Sequence, residues 1–185
     1  MVKTIHYQRK GKTDYKTRLK LLTGNVPRLV VRPSLHNVLA QAVQYHEDGD
    51  KVLVSAHSRE LKKYGWPYGT GNTPAAYLVG FLLGSKAKDK VSSLIPDLGS
   101  KSKAQGTKLY AVVKGVLDAG IPIPHDPSIF PSEDRLNGKH ISSYAKQSKG
   151  QQFSALKQAD FDAMPTVVQQ MKKAIQEGSH DKSRK

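Results

Sequence analysis

Three stretches decide the architecture: Leu29-Val30-Val31, then Val38-Leu39-Ala40-Gln41-Ala42-Val43-Gln44-Tyr45, then Val52-Leu53-Val54-Ser55-Ala56. Each is a run of strand length, rich in β-branched residues and bounded by turn formers. Between the second and third lies Glu47-Asp48-Gly49-Asp50, where Asp-Gly supplies the positive φ angles of a tight hairpin turn. Between the first and second lies Pro33-Ser34-Leu35-His36-Asn37, a further turn-forming cluster. The pattern predicts an antiparallel three-stranded meander.

Beyond the meander the period changes. Gly65-Trp66-Pro67-Tyr68-Gly69-Thr70-Gly71-Asn72 is loop by composition and ends at Thr73-Pro74, an N-cap followed by proline at the first helical position. The helix it opens should run to about Asp89. Its centre, Tyr77 to Gly84, is apolar on most sides, as expected of a helix packed deep against the sheet with glycines allowing close approach. Val91 to Ile95 reads as a fourth strand. A second helix starts near Thr107, where Leu109, Val112, Val113, Val116 and Leu117 form one apolar stripe. Gly120 closes it, and Ile121-Pro122-Ile123 reads as a fifth strand. The expected fold is therefore α/β: a mixed five-stranded sheet, three antiparallel strands followed by two helix-connected parallel ones, with helices on its faces.

The rest of the chain divides by composition. Residues 1–26 form a basic arm, 27–125 the α/β core and 126–177 a helical extension. In the extension, Ser132 to Gln147 has helical character, and Phe161, Met164, Val168 and Met171 recur at near-helical spacing. Residues 178–185 have no apolar anchor and are expected to be a disordered tail.

Charge narrows the function. The chain of 185 residues carries 30 Lys and Arg against 15 Asp and Glu, a net +15, far more than solubility requires. A polyanionic partner is the expectation. More than half of the excess lies in residues 1–32, where Lys3, Arg9, Lys10, Lys12, Lys16, Arg18, Lys20, Arg28 and Arg32 face Asp14 alone. Tyr7 and Tyr15 are interleaved with these cations, a mixture suited to phosphate contact and stacking on unpaired bases. Cysteine is absent, which removes disulfides, thiolate metal sites and a cysteine nucleophile. The N-terminal sequence lacks the apolar stretch of a secretory signal, and the longest apolar run, Ala75 to Leu83, is far short of the roughly 20 residues that span a bilayer. No membrane partner is expected.

Candidate chemistry is sparse. The loop from Asp97 to Lys108, carrying Lys101 and Lys103, opens directly into a helix, so amides of a helix N-terminus and basic side chains would together make a phosphate cradle. Gly11-Lys12-Thr13 has the end of a P-loop without its first glycine or its strand, and is chance. Thr70-Gly71-Asn72-Thr73 reads equally as a loop stapling a helix start or as a binding element. The seven histidines, His6, His36, His46, His57, His125, His140 and His180, show no metal-ligand spacing, and no metal or cofactor is expected. His36 beside Asn37 at a hairpin tip is placed to touch RNA. A metal-dependent nuclease of similar fold would need several carboxylates converging from strand ends, and only Asp97 stands at such a position. A general nucleic-acid-condensing protein is the other rival.

Several segments taken in order resemble one family, the archaeal and eukaryotic form of large-subunit ribosomal protein eighteen. They are Thr13 to Leu22, Pro27 to Arg32, Tyr64-Gly65-Trp66, Thr70 to Leu78, Asp97-Leu98-Gly99, Gly106 to Ala111 and Asp118 to His125. The resemblance implies a sheet of ribonuclease-H-like topology used as a binding platform without nuclease activity. It also implies a ribosomal, cytoplasmic protein that binds 5S rRNA and attaches it to the large-subunit (23S) rRNA beside neighbouring ribosomal proteins. Pro96 departs from the family pattern; it removes a ladder donor, so regular pairing is expected to stop at Ile95. Beyond His125 the match is looser, through Lys139-His140-Ile141 and Tyr144. Charge and resemblance together select as RNA-contacting residues Arg9, Lys10, Lys12, Tyr15, Lys16, Arg18 and Lys20 of the arm and Arg28 and Arg32 of the first strand. They also select Ser34, His36 and Asn37 of the hairpin, Thr70 and Asn72 before the first core helix, and Lys101, Lys103 and Lys108 before the second.

Overall fold

The computed structural model describes residues 14–99, 104–147 and 160–182. The meander is present as β1 (Arg28–Pro33), β2 (Val38–Gln44) and β3 (Lys51–His57), antiparallel throughout. A bulge between Ala42 and Val43 interrupts the β2–β3 register. Gly49 takes the positive φ, 136°, in a turn wider than a two-residue hairpin, with Gln44 paired to Lys51 across it.

The sheet has four strands in the order β3-β2-β1-β4, not five. The fourth strand, β4 (Ile95–Asp97), lies parallel to β1 and begins where the expected strand was to end. Pro96 sits inside it, opposite Leu29. A proline is tolerated there because β4 is an edge strand, so the missing N–H leaves no second neighbour unpaired. Ile121-Pro122-Ile123 does not pair as a strand. Pro122 and Pro124 remove alternate donors, and the segment's link to this region is the bond from Leu94 N to Pro122 O at 3.2 Å. Ile121 and Ile123 are nevertheless buried, so their apolar pattern reported core and not pairing.

Leu29, Val31, Ala40, Ala42, Val54 and Ala56 form the buried face of the sheet. Helices α2 (Thr73–Ala87) and α3 (Lys108–Asp118) cover it, α2 over β2 and β3, α3 over β1. From Pro74 to Gly84 every residue of α2 is buried, because sheet, α3 and the C-terminal helix surround it. That explains why α2 has no polar face. The α2–α3 contact is backbone on backbone: a Cβ on Gly80 would lie 2.0 Å from Val112 O, and one on Gly115 would lie 2.1 Å from Tyr77 O.

The remaining helices are α1 (Tyr15–Leu22), α4 (Glu133–Leu136), α5 (Lys139–Gln147) and α6 (Met164–Lys182). Met164, Val168, Met171 and Ile175 of α6 are all buried in the common core, against α2 and the 3₁₀ turn Ser58–Tyr64. The helix continues past the residue where a disordered tail was expected, with Gly178 lying against the Tyr64 ring.

Because neither backbone can give way, Gly80→Ala and Gly115→Ala should each lower stability by about 3 kcal/mol, as overpacking of a tight core does. Gly69→Ala, where an added Cβ meets nothing within 4 Å, should cost less than about 1 kcal/mol. Urea midpoints of the three variants test the difference.

Candidate nucleic-acid interface

Two polar constellations gather most of the expected contact residues that the structure describes. The first centres on Arg28, only 2% exposed although it carries a full charge. Its Nη2 donates to Asp50 Oδ2 at 2.7 Å and its Nη1 to Asp97 Oδ2 at 3.0 Å. Arg18 of α1 donates to the same Asp50 oxygen at 2.8 Å. Arg32 donates to Val31 O, Asp97 O and Asp97 Oδ1. Asp97 Oδ1 also accepts from Gly99 N at 3.1 Å. Three arginines and two aspartates thus join α1, β1, the β2–β3 turn and β4. Burial alone would raise the Asp50 pKa, but hydrogen bonds from Arg18 and Arg28 outweigh it and hold the carboxyl below its ordinary value.

This network encloses Arg28, one of the expected RNA contacts. Its guanidinium faces two carboxylates inside the protein and has no surface to offer a phosphate, because a buried arginine charge requires partners. Arg18 and Arg32 are bound in the same network but remain partly exposed. Asp97, the one carboxylate placed for metal chemistry, is held by two arginines and an amide. Among the described residues no group of three His, Asp or Glu is placed to hold a metal ion.

The second constellation ties down the β1–β2 hairpin. Ser34 and Asn37 close the turn on each other: Ser34 N donates to Asn37 O at 2.8 Å and Asn37 N donates to Ser34 Oγ at 3.0 Å. Asn37 Oδ1 accepts from the hydroxyls of Ser58 and Thr70. Thr70 also donates to His36 O at 2.8 Å, and Lys108 Nζ donates to Ser34 O and Gly71 O, each at 3.3 Å. Gly71 is required here, since a Cβ would meet Leu35 O at 2.8 Å. Asn72 caps α2, its Oδ1 accepting from Ala75 N at 2.9 Å. Asn37, Thr70, Asn72 and Lys108 therefore act as struts. What they present is His36, exposed, and Leu35, 82% exposed, a residue that charge-based reading passed over.

Helix α1 supplies the other presentation. Asp14 caps it through Thr17 N at 3.0 Å, no residue in it is buried, and the Arg18–Asp50 pair fastens it to the core. Tyr15, Lys16 and Lys20 are exposed along it. Glu60, Asp118, Asp134 and Asp162 pair with Lys86, Lys114, Lys139 and Lys146. Lys16 and Lys20 have no carboxylate partner among the described residues. Arg9, Lys10, Lys12, Lys101 and Lys103 lie outside the described residues.

Near the hairpin a groove of about 660 Å³ runs past the start of α3 to α4 and α5. Arg135 and His140 line it; His140 belongs to the loosely matching Lys139-His140-Ile141 segment, and Arg135 was not among the expected residues. Partial desolvation, then the Arg135 charge, hold the His140 imidazole below its ordinary pKa.

Fold and site together define a small basic α/β protein that carries cations and exposed side chains on short, tied-down elements, with no clustered carboxylates or activated nucleophile among the described residues. The chain matches the model of the family described as ribosomal large subunit proteins 60S L5 and 50S L18 over residues 2–94. It is 49% identical over 141 residues to the large ribosomal subunit protein uL18 of Korarchaeum cryptofilum, covering 76% of this chain and 72% of that protein. To the large ribosomal subunit protein uL18 of Methanococcus maripaludis it is 46% identical over 177 residues, covering 91% and 92% of the two chains. The chain belongs to this L5/L18 family of large-subunit ribosomal proteins.

Replacing Asp97 by Asn leaves Arg28 buried with a single carboxylate and should cost about 3 to 5 kcal/mol of unfolding free energy in urea at pH 7. Because the folded-state pKa of Asp50 is depressed, its contribution is complete above the unfolded value near 3.8 and is lost as pH falls through the folded one. Stability measured from pH 6 down to pH 2 should therefore fall less steeply in Asp50→Asn than in the parent chain.

Proposed function

We propose that this protein is a structural, non-catalytic component of the large ribosomal subunit that binds 5S rRNA and attaches it to the 23S rRNA. The observation that carries this reading is the division of labour among its polar residues. Struts such as Asn37, Thr70 and Lys108 hold a hairpin whose tip is exposed, while Lys16 and Lys20 stand on a capped helix without acidic partners among the described residues. Phosphate contacts would come from α1 and the basic arm, and fit to a folded RNA from the rigid hairpin. Family membership supports the same reading, and no described helix is long and apolar enough to cross a membrane.

Competition between 5S rRNA, transfer RNA and duplex DNA at one fixed salt concentration tests the reading: 5S rRNA should win clearly, and equal affinities would leave only a general polyanion binder. If about six phosphates are neutralised, the log–log dependence of affinity on salt should have a slope of roughly −5. The double variant Lys16→Ala/Lys20→Ala should make that slope shallower by about 2, with the fold unchanged by circular dichroism. An unaltered slope would remove α1 from the interface.

A further inference from the structure

The groove beside the hairpin has a donor-rich end and an apolar end. Among the described residues no Asp or Glu lines it. Arg135 is exposed at its edge and has no ion-pair or hydrogen-bond partner for its guanidinium among the described residues. Of the two acids before it, Asp134 is paired with Lys139 at 2.6 Å. Thr107 stands at the N-cap of α3 without making the usual side-chain bond to a helix amide, and its Oγ1 is buried with no partner. A buried hydroxyl without a partner is uncommon, and the residue that carries it lines the groove beside Arg135 at the start of α3. Through Asn72, His140 and Ile141 the groove continues into a second cavity of about 500 Å³, walled by Tyr68, Tyr144 and Phe161.

An anion fits the first part and a flat ring the second. Both belong to one molecule when the ligand is a nucleotide, and the volume suits a ligand of that size. In duplex RNA the base faces are covered by their neighbours, so only an unpaired residue could use both ends. We propose that this groove seats one unpaired nucleotide of an RNA strand, with its phosphate at Arg135 and Thr107 and its base against Ile141 and Tyr144. The proposal rests on the RNA-binding reading above and adds to it a single-strand subsite on the C-terminal extension.

The test uses the full chain with two fluorescent probes at one salt concentration, hexauridylate and a blunt RNA duplex without unpaired residues. Arg135→Glu should weaken hexauridylate binding about tenfold or more and duplex binding by less than about threefold. Thr107→Val should weaken hexauridylate by about threefold, and 4-thiouridine in the hexamer should crosslink within residues 139–147 of the unaltered chain. Equal weakening on both probes, no weakening on either, or crosslinks confined to other segments would overturn the subsite. If Arg135→Glu does not fold, the crosslink on the parent chain decides. A chain that prefers 5S rRNA but fails these tests keeps the proposed function and loses the subsite. One that passes them yet binds all polyanions equally does the reverse.

Discussion

The structure depends on two glycines that let helix α2 lie directly on helix α3. With Gly80 against Val112 and Gly115 against Tyr77, the two backbones touch, and α2 can be surrounded by sheet, α3 and α6 at once. A helix buried on every side cannot carry function along its length, because any polar group there would need a partner. The available positions are its ends and those of α3. The same contact brings both helix starts, Asn72 and Thr107, beside the β1–β2 hairpin, as the shared bonds from Lys108 to Ser34 and Gly71 show. The close packing that removes polar chemistry from the core thus gathers it at one corner.

Electrostatics follow a similar logic. In a chain with twice as many cations as anions, each carboxylate is a scarce resource, and its placement shows which cations are structural. Asp50 and Asp97 fall to Arg18, Arg28 and Arg32, where they fix the parallel edge strand and the arm helix against β1. A buried ion network adds little net stability over an apolar replacement, but breaking half of it exposes the desolvation cost of what remains. Its value here is geometric. It joins four segments, of which α1 contributes no buried residue of its own.

What could be read from the sequence followed from periodicity. The three meander strands and Met164, Val168 and Met171 of the α6 stripe report burial at a regular spacing and are placed as expected, whereas Phe161 precedes α6 and α2 is capped by Asn72, one residue before the expected Thr73. Ile121 and Ile123 obey the same rule and are buried, but burial does not state pairing, and the prolines around them prevent it. Strand β4 was misplaced because three residues are too few to show a period. At the site, charge gives sign without partner. Nothing local distinguishes Arg28, which is enclosed, from Lys16, which is exposed; the difference lies in Asp50 and Asp97, far along the chain. Likewise nothing local shows that Asn37 Oδ1 and the Thr70 hydroxyl bond each other; only the fold brings them together. Arg135 and His140 belong to a separate segment and join the hairpin corner only through tertiary packing.

The two presenting elements differ in how firmly they are held, which has a consequence for binding. The hairpin is fastened by Ser58 of the 3₁₀ turn, Thr70 of the loop before α2 and Lys108 of α3, so an RNA that meets Leu35 and His36 has little ordering left to do, and their contacts act close to full strength. Helix α1 spans only Tyr15 to Leu22, below the length at which an isolated helix is stable in water, and it relies on the Asp14 cap and the Arg18–Asp50 pair. Asp50 also serves Arg28, so weakening one partner changes the field that the other feels. Any polyanion that binds Lys16 and Lys20 while α1 is helical therefore stabilises that helix, and by linkage an intact Arg18–Asp50 pair strengthens the binding in equal measure. An ion pair that need not touch the polyanion is in this sense coupled to any binding at α1.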